Sequence, residues 1–90
     1  MTTKKRPRYR IEFLAAANKH LADIAPVHRR RIASKIDALA GNPRPAGAKK
    51  LQSNGYLRIR IGRYRVIYEI EDGRLVVLIV SVGHRREVYR

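Results

Sequence analysis

The chain has 90 residues, enough for one domain, and a formal net charge of +14 from 21 Lys and Arg against 7 Asp and Glu. It has no cysteine, which excludes disulfides and thiolate metal sites. The basic start MTTKKRPRYR is followed by no apolar core of a secretory signal, and no run approaches the ~20 apolar residues of a membrane span, so cytoplasm is the expected compartment.

A field of that sign on so small a body attracts polyanions and steers their approach. Nucleic acid is the first partner it implies, and an acidic protein segment the second. A membrane surface is disfavoured, because no basic amphipathic helix carries large aromatics.

In chain order, residues 1–7 are polar and basic and are expected to be flexible. Tyr9-Arg10-Ile11-Glu12-Phe13 alternates apolar and polar, which predicts a short strand. Leu14, Ala17, Leu21 and Ile24 recur at helical spacing and predict a first helix. Pro26 suits the first position of a second helix, where its missing N–H costs nothing. Ile32, Ile36, Leu39 and Ala40 form that helix's apolar stripe, and Gly41 is expected to end it in a left-handed conformation. Arg29-Arg30-Arg31 read as a solvated basic face, or else as a contact for a nucleic-acid backbone. Asn42 to Asn54, with Pro43, Pro45 and Gly47, is expected to be a loop, and strand alternation starts at Tyr56.

Gly62-Arg63 and Asp72-Gly73 each suit a two-residue hairpin turn. Register follows from those loops: Ile61 opposite Tyr64, Arg60 opposite Arg65, Ile59 opposite Val66. One sheet face then collects Leu57, Ile59, Ile61, Val66, Tyr68, Ile70, Leu75, Val77 and Ile79, and can receive the helical hairpin. The other face carries Arg58, Arg60 and Arg65, continuing into Ile67, Leu78, Val80 and Val82. Like charges opposite each other destabilise a sheet. An anion between Arg60 and Arg65 removes that repulsion and supplies bidentate hydrogen bonds. The plainer reading is that these arginines lie spread on a solvated surface. Gly83 breaks the alternation, and His84 is the one histidine in this region. The expected fold class is α+β, β-α-α-β-β-β, one domain over residues 1–90, with a helical hairpin on one face of an antiparallel sheet.

The run Tyr56-x-Arg58-Ile59-Arg60-Ile61-Gly62-x-Tyr64-Arg65-Val66-Ile67-Tyr68, then Val76 to Gly83, then His84-Arg85-Arg86-Glu87-Val88-Tyr89, resembles the RelE/ParE superfamily of bacterial toxins, its RelE branch above all. The predicted order of elements matches as well, so the resemblance covers nearly the whole chain. It implies the toxin of a type II toxin–antitoxin system. Such a toxin is a ribosome-dependent mRNA endoribonuclease, acting in the ribosomal A site by attack of the RNA 2′-hydroxyl without a metal or other cofactor. An acidic antitoxin neutralises it. The family's catalytic positions carry over to Arg58, Arg60, Arg65, Arg85 and Tyr89, and Lys49, Lys50, Arg63 and Arg86 are expected to contact RNA.

The family often has lysines where this chain has Arg58 and Arg60. An arginine does not give up its proton, so these two suit charge stabilisation and not general-base work. Proton transfer is left to Tyr89 and His84. Two other readings stand beside this one. A ParE-like inhibitor of DNA gyrase would need no nuclease chemistry. A non-catalytic basic module that binds nucleic acid would need the arginines but be indifferent to Tyr89.

Overall fold

The computed structural model describes residues 8–51 and 55–84. Strand β1 spans Arg10–Phe13, helix α1 Ala15–Ala22 and helix α2 Pro26–Ala38. They are followed by β2 (Lys49–Lys50), β3 (Leu57–Ile61), β4 (Tyr64–Glu71) and β5 (Val76–His84). The strands form one five-stranded sheet in the order β1-β5-β4-β3-β2. All neighbours are antiparallel except β1, which runs parallel to β5. The expected α+β architecture is present, with two additions. The loop from Asn42 contains the short edge strand β2, and the sheet has one parallel pair.

Helix α2 begins at Pro26, as its sequence asks, and buries Ile32 and Ile36. It ends without a left-handed glycine: Leu39 caps it in a right-handed conformation, and among the described glycines only Gly55 and Gly62 have positive φ. Helix α1 buries Ala17, while Leu14 is its cap and stays 42% exposed. The α1 stripe is therefore carried by Ala17 and Leu21, with Ile24 packing on the core just past the helix end. Helix α1 packs on β5 and α2 on β3, so the two helices cover one face of the sheet.

The core joins Ala17, Ile32, Ile36 and Leu39 to Ile59, Ile61, Val66, Tyr68, Val77, Ile79 and Val82. Most of this is the predicted apolar face. Two residues differ, each for a backbone reason. Asp72–Arg74 form a 3₁₀ turn, and the ladder resumes with Glu71 opposite Val76, so the loop is four residues and not two. Leu75 is displaced into that loop, with φ 53° and 40% exposure. Because the loop lengthens by an even number, the faces of Val77 and Ile79 are unchanged. Farther along, Ile67 pairs with Ser81 but Tyr68 pairs with Ile79. Val80 is the extra residue of a β-bulge, and a one-residue slip exchanges the faces. Val82 therefore turns to the helices and is 2% exposed, although plain alternation puts it on the opposite side.

The loop after α2 is tied to the sheet from beneath. The buried Tyr68 hydroxyl donates to the Pro43 carbonyl at 2.7 Å. At the surface, Tyr9 donates to Asp72 Oδ1 at 2.6 Å, and the Arg44 guanidinium reaches the same carboxylate at 3.0 Å. Arg44 first, and then Tyr9, hold the Asp72 carboxyl below the usual carboxylate range. Among the described residues, no helix is long and apolar enough to cross a membrane.

Candidate nucleic-acid interface

Gly62 takes φ 60° and Arg63 does not, the pattern of a two-residue II′ hairpin turn, so β3 and β4 meet as tightly as their sequence suggests. The predicted register is observed: Ile61 opposite Tyr64, Arg60 opposite Arg65, Ile59 opposite Val66. Residues directly opposite share a face. The side away from the helices can therefore be read as rows across the sheet. One row is Lys49, Arg58, Ile67 and Ser81, and the next is Arg60, Arg65 and Gly83.

Toward the other end of the same face the sign of the charge reverses. Glu12, Leu78 and Glu69 form one row, and Arg10, Val76 and Glu71 the next. Two of the acidic groups there have local partners, Glu12 in Arg10 at 2.8 Å and Glu71 in Arg74. The face is thus polarised along the strands. Carboxylates gather near the Asp72 turn, and cations near the Gly62 turn and the end of β5.

Arg65 differs from its neighbours. It lies on β4, between β3 and β5, and is only 2% exposed, whereas Arg60 is exposed and Arg58 half-buried. A guanidinium removed from bulk water attracts an anion more strongly than one at the surface. It also offers a planar fork suited to phosphate oxygens. With Arg60 directly opposite and Lys49 and Arg58 one row away, this end of the sheet can hold a phosphodiester and stabilise added negative charge on it.

The other predicted site residues fall elsewhere. Lys50 pairs with Leu57 and so projects to the opposite side from Lys49. Arg63 is exposed on the turn itself. His84 pairs with Tyr64 and packs edge-on against its ring, centroids 5.8 Å apart, on the helix side of the sheet. The Val80 bulge that turns Val82 inward also carries His84 away from the arginine face. Arg85, Arg86 and Tyr89 lie outside the described residues. Two residues that sequence reasoning did not place in a site, His28 and Tyr64, come together at 5.6 Å between ring centroids. Only the pairing of β4 with β5 and the docking of α2 bring them there, so nothing in their sequence spacing signals it. Among the described residues, no cluster of three or more His, Cys, Asp or Glu is arranged to hold a metal ion.

Comparison with known proteins shows the family and the fold. Residues 11–89 match the family model described as the ParE toxin of the type II toxin–antitoxin system, parDE. A putative RelE-like toxin protein of Escherichia coli is 25% identical over 80 residues, covering 87% of this chain and 84% of that protein. Among solved structures, the toxin–antitoxin complex RelBE2 of Mycobacterium tuberculosis contains a chain 27% identical, with TM-score 0.78, covering 87% of this chain and 99% of that one. The archaeal RelE–RelB complex of Pyrococcus horikoshii OT3 contains one 30% identical, with TM-score 0.77, covering 87% and 96%. A family match over almost the whole chain, a shared fold and a polarised basic sheet face agree: this chain belongs to the ParE toxin family of type II toxin–antitoxin systems, within the RelE/ParE superfamily, and is a RelE-like toxin.

Proposed function

We propose that this toxin is a ribosome-dependent endoribonuclease that cuts mRNA without a metal ion. The observation that carries the reading is the buried Arg65 facing Arg60, with Lys49 and Arg58 in the adjoining row. In the proposed step the RNA 2′-oxygen bonds to the adjacent phosphorus and the bond from phosphorus to the 5′-oxygen breaks. The proton of the 2′-hydroxyl goes to a base, and the departing 5′-oxygen takes one up. The pentacovalent transition state gathers negative charge, and Arg58, Arg60 and Arg65 stabilise it there more than in the ground state. These arginines are always charged and do not serve as the base. Arg85 follows β5 directly and is assigned to the same phosphate. Tyr89 is assigned to proton transfer ahead of His84, since His84 lies on the other side of β5 from Arg65.

The natural partner in this reading is an acidic antitoxin segment, and both structural relatives named above are complexes with an antitoxin. The +14 charge complements such a segment. Acting on translating mRNA places the toxin in the cytoplasm. The family description names ParE, which keeps a second reading in view, inhibition of DNA gyrase by binding alone.

Inducible expression with mapping of mRNA 5′ ends in translating cells separates the readings. Codon-phased cuts are expected. DNA damage with intact mRNA would establish gyrase inhibition in place of cleavage. Neither cuts nor growth arrest would leave a basic binding module.

A further inference from the structure

The end of the sheet that carries Arg60 and Arg65 is concave on its helix side. Between the first turns of α2 and the β3–β4 turn lies an open cleft of about 380 Å³, lined by His28, Arg31, Arg63, Tyr64 and His84 over an apolar floor of Ile32 and Ile61. Three rings meet in it: Tyr64 lies 5.6 Å from His28 and 5.8 Å from His84. Its two guanidiniums are exposed, none of its lining residues is a carboxylate, and among the described residues neither Arg31 nor Arg63 forms an ion pair. Rings that accept a flat aromatic face, beside two cations without counter-charge, form a site for a base bearing a phosphate.

The cleft adjoins the proposed phosphate site through the backbone. Tyr64 and Arg65 are consecutive on β4, and Arg60 and Ile61 are consecutive on β3, so each pair presents one residue to each side of the sheet. A single strand passing over the Gly62 turn meets both. We propose that this cleft holds one nucleotide of single-stranded RNA next to the phosphate at Arg60 and Arg65, its base against Tyr64 and the two imidazoles and its own phosphate between Arg31 and Arg63. The inference extends the RNA-cleavage reading by a second, separate subsite. An acidic peptide is the weaker occupant, because it would use the cations and leave three rings and an apolar floor without a partner.

The test uses the full 90-residue chain, 5′-mononucleotides, and a trinucleotide 2′-O-methylated throughout so that 2′-hydroxyl attack is blocked. Ring resonances of His28, Tyr64 and His84 are expected to shift on titration with a mononucleotide. The exposed pair Arg31→Ala/Arg63→Ala is expected to weaken trinucleotide binding about tenfold, and to flatten its salt dependence by roughly 0.7 in log–log slope for each phosphate no longer neutralised. Circular dichroism of the double variant controls for folding. Shifts confined to Lys49, Arg58, Arg60 and Arg65, with affinity and salt slope unchanged in the double variant, would overturn the inference. So would ring shifts produced by an acidic peptide and by no nucleotide. Binding is read without cleavage, so intact mRNA in cells would remove the nuclease reading and leave this one standing, while codon-phased cuts with a silent cleft would do the reverse.

Discussion

At the scale of single residues, Arg60 and Arg65 form a direct cross-strand pair but differ in environment. Arg60 is exposed, so Arg60→Ala is expected to leave thermal stability within about 0.5 kcal/mol and still reduce RNA cleavage by tenfold or more. Arg65 is 2% exposed, and truncation to alanine would open a cavity as well as remove a charge. Arg65→Gln keeps more of the bulk and is the cleaner test. It is expected to stay folded and to lose toxicity, and full toxicity in either variant would remove the phosphate site. Tyr68 supplies a stability counterpart. Tyr68→Phe strands the buried Pro43 carbonyl and is expected to cost about 1–3 kcal/mol in urea unfolding at neutral pH. Burial pushes the Tyr68 hydroxyl up to about 12, against about 10 for an unfolded tyrosine. A pKa raised by folding contributes stability that is complete below the unfolded value and is lost as pH rises through the folded one. The gap between wild type and Tyr68→Phe is therefore expected to narrow between roughly pH 10 and 12; a constant gap across that window would show that the hydroxyl ionises freely.

At the scale of elements, β5 is the decisive strand, and its two irregularities make separate predictions. Leu75 sits in the left-handed region with its side chain 40% exposed. Leu75→Gly relieves that conformation and is expected to raise stability by roughly 0.5–1 kcal/mol by denaturant titration. A drop in stability would mean that the leucine's packing outweighs its backbone strain. The Val80 bulge places Val82 against the helices, 2% exposed, while Val27 is 60% exposed at the start of α2. Val82→Ala is expected to cost roughly 2 kcal/mol, from reduced burial plus a cavity, and Val27→Ala under about 0.5 kcal/mol. Equal costs at the two sites would argue that the bulge is misplaced.

At the scale of the whole molecule, the 21 cationic side chains repel one another and only 7 carboxylates offset them, four of which, Glu12, Glu69, Glu71 and Asp72, are gathered at one end of the sheet. Raising ionic strength from about 0.01 M to 0.15 M shortens the screening length from roughly 30 Å to 8 Å. The melting temperature of the isolated toxin is therefore expected to rise over that range, as calorimetry would show, while RNA affinity falls. A melting temperature that falls with salt would mean that the few ion pairs, such as Arg44 to Asp72, outweigh the repulsion.

What the sequence determined by itself was whatever rests on local spacing and composition. The helix start at Pro26, the buried stripe of Ile32, Ile36 and Leu39, and the Gly62 turn all belong to this class. So does the facing of Arg60 and Arg65, because a two-residue turn allows one register only. The tertiary structure decided what depends on one added residue or on distant partners. A single bulge at Val80 exchanged the faces of Val82 and His84, and no local pattern marks it, since valines suit either side of a covered strand. The parallel docking of β1 beside β5 and the pairing of Lys49 with Arg58 needed contacts across the sheet. The meeting of His28, Tyr64 and His84 needed α2, β4 and β5 to be placed together, and the 2% exposure of Arg65 is likewise a product of the packed structure. Alternation is a property of neighbours in the chain, whereas the face a side chain finally takes is a property of the packed sheet.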